Sequence, residues 1–249
     1  MNVIPKIYKV LRRFNFEIHT KVTNDFPIEI SEIDRSALIK AMPYTMTPAQ
    51  RFSAISLCMS YLRENQIEGA VVECGVWAGG SIGAAALIGV QDRIERTYWL
   101  FDTFEGMTRP SNFDGISPQK IWNRSRHLND LGSDWCEVNQ LDVESNLKLM
   151  GVDLRNCIFV PGDVANTLKI DPLPKDIALL RLDTDWYEST KIELEVLFPR
   201  LVSGGILIID DYGHWEGARK AVDEYFAGLE FKPLFIPLDY SGRICVKMG

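Results

Sequence analysis

The chain has 249 residues, 46% of them hydrophobic and 24% charged, with a formal net charge of −7. That length suits one large α/β domain or two small ones, and the acidic balance gives no global electrostatic case for a nucleic-acid partner. No apolar run approaches the roughly 18–20 residues needed to span a bilayer; the basic, mixed N-terminus lacks the apolar core of a secretory signal, so a cytoplasmic protein without a transmembrane segment is expected.

Five cysteines (Cys58, Cys74, Cys136, Cys157, Cys245) are scattered without CxxC spacing, which points to neither zinc nor a disulfide framework. Cys74 and Cys157 fall in apolar runs and are expected to be buried. The three histidines, His19, His127 and His214, are far apart, which disfavours a histidine-rich metal site.

Residues 3–14 place Ile4, Ile7, Leu11 and Phe14 near one helical face and Lys6, Lys9, Arg12 and Arg13 elsewhere. This reads as a short helix packing on its own domain or on a second subunit, with an anionic membrane surface as the alternative. Residues 20–46 read as irregular, broken by Pro27 and Pro43. Thr47-Pro48 predicts a helix start, with Thr47 as N-cap, running to about Glu64 and burying Phe52, Ile55, Met59 and Leu62.

Strands are then predicted at 70–74, 97–102, 156–163, 177–183 and 205–211, with helices from about Ser81 and over 188–201 and 215–228. Residues 231–239 and 243–248 predict a closing antiparallel pair. Strands alternating with helices imply a mostly parallel sheet covered on both faces. Residues 103–155, with pieces around Trp122, Trp135 and Leu147, are long for a connection and read as a lid or specificity element, or as a peripheral decoration.

Two of the apolar runs end on carboxylates: Asp183 in ALLRLDTDWYEST, and Asp210 and Asp211 in GGILIIDDYG. A charge at the carboxyl end of a strand sits where open α/β sheets bind ligands. Three converging oxygen donors there suit Mg²⁺ or a similar cation. Asp is also a favoured helix cap, and for Asp185 the cap of the following helix is the expectation. Arg181 is expected to pair with an acid in the sheet.

The turn VVECGVWAGGS (71–81) is not GxGxxG, so a dinucleotide fold is not indicated. Gly75 allows close backbone approach, and Gly79-Gly80 opens a helix N-terminus that favours an anionic group. Glu73 at the strand tip suits a cationic amine, and Asp102 at the next tip suits two ribose hydroxyls. An acid beside the turn favours a zwitterionic ligand such as S-adenosylmethionine. Gly162-Asp163 would then lie near its adenine, or Asp163 caps a helix before Ala165. Tyr187, Tyr212 and Trp215 are candidates for an aromatic wall.

Five segments carry a family resemblance: YTMTPAQR (44–51), VECGVWAGGS (72–81), LFDTFEGM (100–107), LLRLDTDWYEST (179–190) and LIIDDYGHWEGARKAVDEY (207–225). Together, over roughly residues 44–228, they resemble the macrocin O-methyltransferase family, which also includes an enzyme of novobiocin sugar methylation. The resemblance implies a class I S-adenosylmethionine-dependent methyltransferase: an α/β Rossmann-like sheet of seven strands, mostly parallel with an antiparallel C-terminal strand pair, helices on both faces, and Mg²⁺ bound. It implies Asp183, Asp210 and Asp211 as metal ligands, Asp183 also as general base, and Glu73, Gly75, Ser81 and Asp102 as cofactor contacts. Thr47 and Arg51 fall in the helix motif that closes over the cofactor. Thr184 stands where family members often have glycine between the paired aspartates. His214 is the alternative base, with an unperturbed pKa in the useful range.

The expected organisation is an N-terminal extension over 1–43, for subunit or lid contact, and a methyltransferase domain over 44–249 with the insertion 103–155. The expected acceptor is a small molecule or glycan with a free sugar hydroxyl, and a homo-oligomer is expected. The alternatives are a catechol-type metal-dependent O-methyltransferase, a non-catalytic nucleotide-binding module and a dinucleotide oxidoreductase.

Overall fold

In chain order, the helices and strands of the computed structural model, which describes residues 26–92, 94–128, 132–230 and 232–248, alternate around one seven-stranded sheet. The expected helix over 3–14 lies outside the described residues. The strands are β1 (Ala70–Cys74), β2 (Tyr98–Asp102), β3 (Cys157–Pro161), β4 (Ile177–Leu182), β5 (Leu201–Ile209), β6 (Ile236–Pro237) and β7 (Arg243–Val246). Their order is β3-β2-β1-β4-β5-β7-β6. Strands β1 to β5 are parallel, and β7 runs antiparallel to both β5 and β6, as the closing strand pair predicts.

Side-chain alternation divides the core into two layers. Val71, Leu100 and Ile208 face one layer, built with Leu38 and Ala41 of α1 (Glu32–Ala41), Phe52, Ile55, Met59 and Leu62 of α2 (Ala49–Glu64), and Ile82 and Ile88 of α3 (Gly80–Gly89). Val72, Phe101 and Leu207 face the other, with Leu194 and Leu197 of a helix over Tyr187–Leu197 and Val222 and Phe226 of one over Glu216–Ala227. Between these lie α4 (Ile116–Ser125), α5 (Gln140–Met150) and a single turn, α6 (Val164–Thr167), which makes the last two helices α7 and α8.

Four local expectations change. Helix α1 occupies a stretch expected to be irregular: Ser31 caps it by accepting from the Asp34 N–H at 3.1 Å, and Pro27 and Pro43 flank it. Buried Asp34 then accepts from Ser56 (3.0 Å) and Gln91 (2.7 Å), tying α1 into the same core as the rest of the sheet. Thr47 does not cap α2; Pro48 occupies that position, and the Thr47 hydroxyl turns inward. Cys157 is half-buried because β3 is an edge strand. Finally, β6 shrinks to two residues, since Pro233 and Pro237 lack N–H donors and confine pairing to the sheet edge. No helix among the described residues is long and apolar enough to cross a membrane.

The insertion is docked. Buried Asp114 accepts from the Tyr187 N–H at the start of α7 (2.7 Å) and from Ser111 (2.6 Å). Met150 and Leu147 of α5 pack against Gly83 of α3. Gly106 lies so close to the 132–135 segment that a Cβ would stand 1.8 Å from the Ser133 carbonyl oxygen, and its φ of +79° is itself a glycine conformation.

Candidate active site

Register places the site. Cys74 pairs with Leu182 and Leu182 with Ile209, so β1, β4 and β5 end flush and release Gly75, Asp183 and Asp210 at one edge. Strand order reverses at β1, and crevices at such switch points are where open α/β sheets bind ligands. Gly75 (φ +80°) permits the approach: a Cβ there would sit 2.1 Å from the Asp183 carbonyl oxygen.

One row behind the tips, Glu73 and Arg181 are register partners on neighbouring strands. The buried Arg181 guanidinium pairs with Glu73, with Asp183 Oδ2 (2.7 Å) and with Asp210 Oδ1 (2.5 Å), and donates to Thr47 Oγ1 (3.0 Å). Arg51, from α2, binds the other Asp210 oxygen and donates to the Asp210 carbonyl (2.7 Å). Its Nε faces Asp239 at 3.2 Å, and Ser241 caps the Asp210 carbonyl from the same loop. Both oxygens of Asp210 are therefore held by arginine.

This changes the expected ligand set. Asp183, Asp185 and Asp211 offer carboxylate oxygens within 4.8 Å of one another, and Asp210 does not join them. Asp210 lies two residues beyond Ile208, the register partner of Arg181, and its two oxygens are taken by Arg181 and Arg51, whereas Asp183 gives only Oδ2 to Arg181 and Asp211 pairs with neither arginine. Asp185 was expected to cap α7. Instead it sits at φ +69° in a tight turn closed by the Trp186 N–H on the Thr184 carbonyl (2.8 Å), and Trp186 takes the cap position. A non-glycine residue held at positive φ carries strain, and strain concentrates at functional sites. Thr184 between the two acids is anchored from below by its hydroxyl on Glu193 (2.9 Å).

Burial and mutual repulsion raise the proton affinity of this group. Burial, then the neighbouring acids, push Asp183 and Asp211 well above the usual carboxylate range, with the Arg181 charge opposing this at Asp183. Asp185 is pushed to about 7 by burial first, and Glu73 to about 7 by burial against the pull of Arg181. Asp211 Oδ2 and Glu73 Oε2 are buried without a hydrogen-bond partner among the described residues.

Two cavities meet at these acids. The first is lined by Gly75, Asp102, Gly162, Asp163 and Thr184. In it Asp102 accepts from the Val76 (2.7 Å), Trp77 (3.1 Å) and Phe104 (2.8 Å) amides, bracing the turn after β1. Asp163 caps α6 by accepting from Ala165 (2.9 Å), the second of its two expected roles. The second cavity is lined by Thr47, Arg51, Glu73, Ser81, Asp211 and His214 among others. Asp183 and Asp185 line both.

The aromatic wall differs from the expected one. Tyr187 is buried and donates to Glu224 (2.7 Å), and Tyr212 donates to Asp223 (2.8 Å). The wall is Trp135 and Trp215, 6.2 Å apart at 73°, each 5.4 Å from buried Trp186. Trp186 Nε1 donates to the Thr108 carbonyl (3.0 Å), and the Met107 N–H to the Trp135 carbonyl (2.9 Å). Exposed His214 packs on Trp215 and shares a hydrogen bond with the Tyr240 hydroxyl at 2.9 Å. Asp185 was expected as a cap and not as a ligand, and Trp135 and Tyr240 were not among the expected site residues; the second acid of LDTD and the tryptophan content of the insertion are the sequence signals for the first two.

A sheet with this strand order, a glycine turn after β1 and acids at the β2 and β4 tips define a class I methyltransferase. The fold matches the O-methyltransferase NovP over 97% of this chain and 100% of that one, with a TM-score of 0.75 and 25% identity. The chain belongs to the macrocin O-methyltransferase (TylF) family, whose model matches residues 8–243. That match reaches into the first 43 residues, where no motif was recognised. Demethyldecarbamoylnovobiocin O-methyltransferase of Streptomyces niveus is 31% identical over 81% of this chain and 75% of its own length. The 4'-O-methyltransferase of Streptomyces olivaceus that acts on 8-demethyl-8-(2,3-dimethoxy-alpha-L-rhamnosyl)-tetracenomycin-C is 33% identical over 74% and 68%. The protein is thus a methyltransferase of a family that works with S-adenosylmethionine.

Proposed function

We propose that this chain transfers the methyl group of S-adenosylmethionine to a sugar hydroxyl of a glycosylated metabolite or glycan precursor, with a divalent cation such as Mg²⁺ held by Asp183, Asp185 and Asp211. The observation that carries the reading is the meeting of two cavities at shared acids, Asp183 and Asp185. One cavity has the glycine turn and strand-tip acids that suit a nucleoside, and the other has an aromatic wall with polar groups that suits an acceptor. The relatives' sugar and antibiotic substrates support the choice of acceptor.

The bound cofactor supplies an electrophilic methyl on a sulfonium. The chain's own residues do the rest. Gly75 and Asp102 keep the turn after β1 open and shaped for the nucleoside; Glu73 and Ser81 line the second cavity, which on this reading takes the amino acid end of the cofactor as well as the acceptor. The three carboxylates fit a hard cation, because they supply oxygen donors only and one buried oxygen of Asp211 lacks a partner among the described residues. Such a cation lowers the pKa of a neighbouring hydroxyl. Asp183, lining both cavities, takes the hydroxyl proton on the oxygen that the cation leaves free. His214 lines the acceptor cavity alone and is exposed, which favours Asp183 as base.

The test is methyl transfer from S-adenosylmethionine to a panel of sugar and phenol acceptors, with and without chelator. Transfer to sugars that stops on chelation and returns with Mg²⁺ is expected. Undiminished turnover after exhaustive chelation sinks the metal-dependent form, and exclusive use of catechols sinks the sugar assignment.

A further inference from the structure

Glu193 of α7 carries a carboxyl that the reaction above does not use. It is 0% exposed, on a helix that sends Leu194 and Leu197 into the core, and its Oε2 has no hydrogen-bond partner among the described residues. Taking a carboxyl out of water without a full set of partners costs stability. An apolar side chain of similar volume would pack there as well or better. A packing role therefore does not account for an acid at this position.

What Glu193 holds is the turn that carries two of the three clustered acids. Its Oε1 accepts from the hydroxyl of Thr184, the residue between Asp183 and Asp185. Three other bonds fix the same turn, and all three end on backbone carbonyls. The Asp183 N–H donates to Cys74 (2.9 Å), the Trp186 N–H to Thr184 (2.8 Å) and the Ser189 hydroxyl to Trp186 (3.1 Å). The bond to Glu193 adds a side-chain anchor from between the acids into the body of α7. Asp185 needs such bracing: a residue with a Cβ keeps a φ of +69° only where its surroundings over-determine it. A turn released from this conformation swings the Asp185 carboxylate away from Asp183 and Asp211, whose oxygens it now meets within 4.8 Å.

We propose that Glu193 is a positioning residue: through the Thr184 hydroxyl it holds Asp183 and Asp185 at the separation a divalent cation requires. The inference rests on the metal-assisted reading above. Glu193 lines neither cavity, so it acts on the site through another residue.

The test is calorimetric titration of Mg²⁺ into the full chain saturated with S-adenosylhomocysteine, in the native protein and four variants. Thr184→Ser and Glu193→Gln keep a hydroxyl and an oxygen acceptor. Thr184→Val and Glu193→Met keep the bulk and remove the bond from opposite ends. Glutamine is a close match, because burial holds Glu193 well above the usual carboxylate range and favours its uncharged form. The expected result is grouping by hydrogen bond and not by volume. Mg²⁺ affinity stays within about threefold of native in the first two and falls about 10–100-fold in the other two, the range carried by groups that orient metal ligands. The same grouping is expected in kcat, with acceptor KM moved less.

Thermal melts check the fold, and one folded variant of the bond-breaking two suffices. Native affinity in all four, loss in all four, or grouping by size overturns the proposal, and so does failure of both bond-breaking variants to fold, since the carboxyl would then serve the fold. The two readings fail separately. An Mg²⁺-binding native chain whose variants do not group removes only the role of Glu193. A native chain that transfers methyl groups without binding Mg²⁺ removes the metal-dependent form, and the grouping of kcat then decides the role of Glu193. Neither binding nor transfer in the native chain removes both.

Discussion

Thr184, between the two aspartates that follow β4, donates its hydroxyl to Glu193 of α7 at 2.9 Å. Glu193 is fully buried, and burial drives its proton affinity well above the usual 4.5, with the Thr184 hydrogen bond pulling the other way. The folded chain therefore keeps this proton where the unfolded chain has lost it. Stability from this group is full below about pH 4.5 and falls as pH rises toward the folded pKa. Thermal melts across pH 5–8 are expected to show a declining midpoint, with a shallower slope in Glu193→Gln. An unchanged slope in that variant would assign the decline to other acids.

Asp210 and Asp211 are adjacent and are expected to respond oppositely. Asp210→Asn strips charge from the partner of two buried arginines, and breaking such a pair costs about 3–5 kcal/mol. Asp211→Asn removes one member of a mutually repelling trio. Denaturant unfolding is expected to show a large loss for the first and no loss, or a gain, for the second, while methyl transfer fails in the second despite its intact fold.

Cation binding has a readout independent of turnover. A ligand at a hundredfold excess over its dissociation constant stabilises by about 2.7 kcal/mol. Mg²⁺ is expected to raise the melting midpoint of the native chain and to leave that of Asp211→Asn unmoved. Equal shifts in both would place the ion elsewhere.

The two candidate bases separate by size of effect. Loss of a general base costs about 10²–10⁴-fold, and that range is expected for Asp183→Asn in single-turnover assays at saturating cofactor. His214→Ala, which gives up a bond to Tyr240 at the exposed rim, is expected to cost less than about tenfold, mostly in acceptor KM. A reversed order would make His214 the base.

Much of this architecture is legible in the chain. The apolar runs of β2, β4 and β5 reach the rim at Asp102, Asp183 and Asp210, while Glu73 and Arg181 are held inside β1 and β4 because they pair with each other. The ligand set is less legible. The doublet Asp210-Asp211 looks like two equal donors until Arg51 and Arg181, from distant parts of the sequence, claim the first. Asp185 looks like a cap because its left-handed backbone is imposed by the turn around it. Thr47 has cap chemistry, yet its hydroxyl accepts from the Arg181 guanidinium of β4 and not from the helix. For Asp210 and Thr47 the local preference is overruled by a buried charge arriving from another segment.

Arg51 joins α2 to the loop between the last two strands through Asp239, and Ser241 of that loop closes on Asp210. One wall of the second cavity is thus supplied by the loop between β6 and β7, which follows all five parallel strands in the chain. β1 to β5 alone leave that wall open, and it closes only when the β6–β7 hairpin pairs on β5 and its loop reaches Arg51.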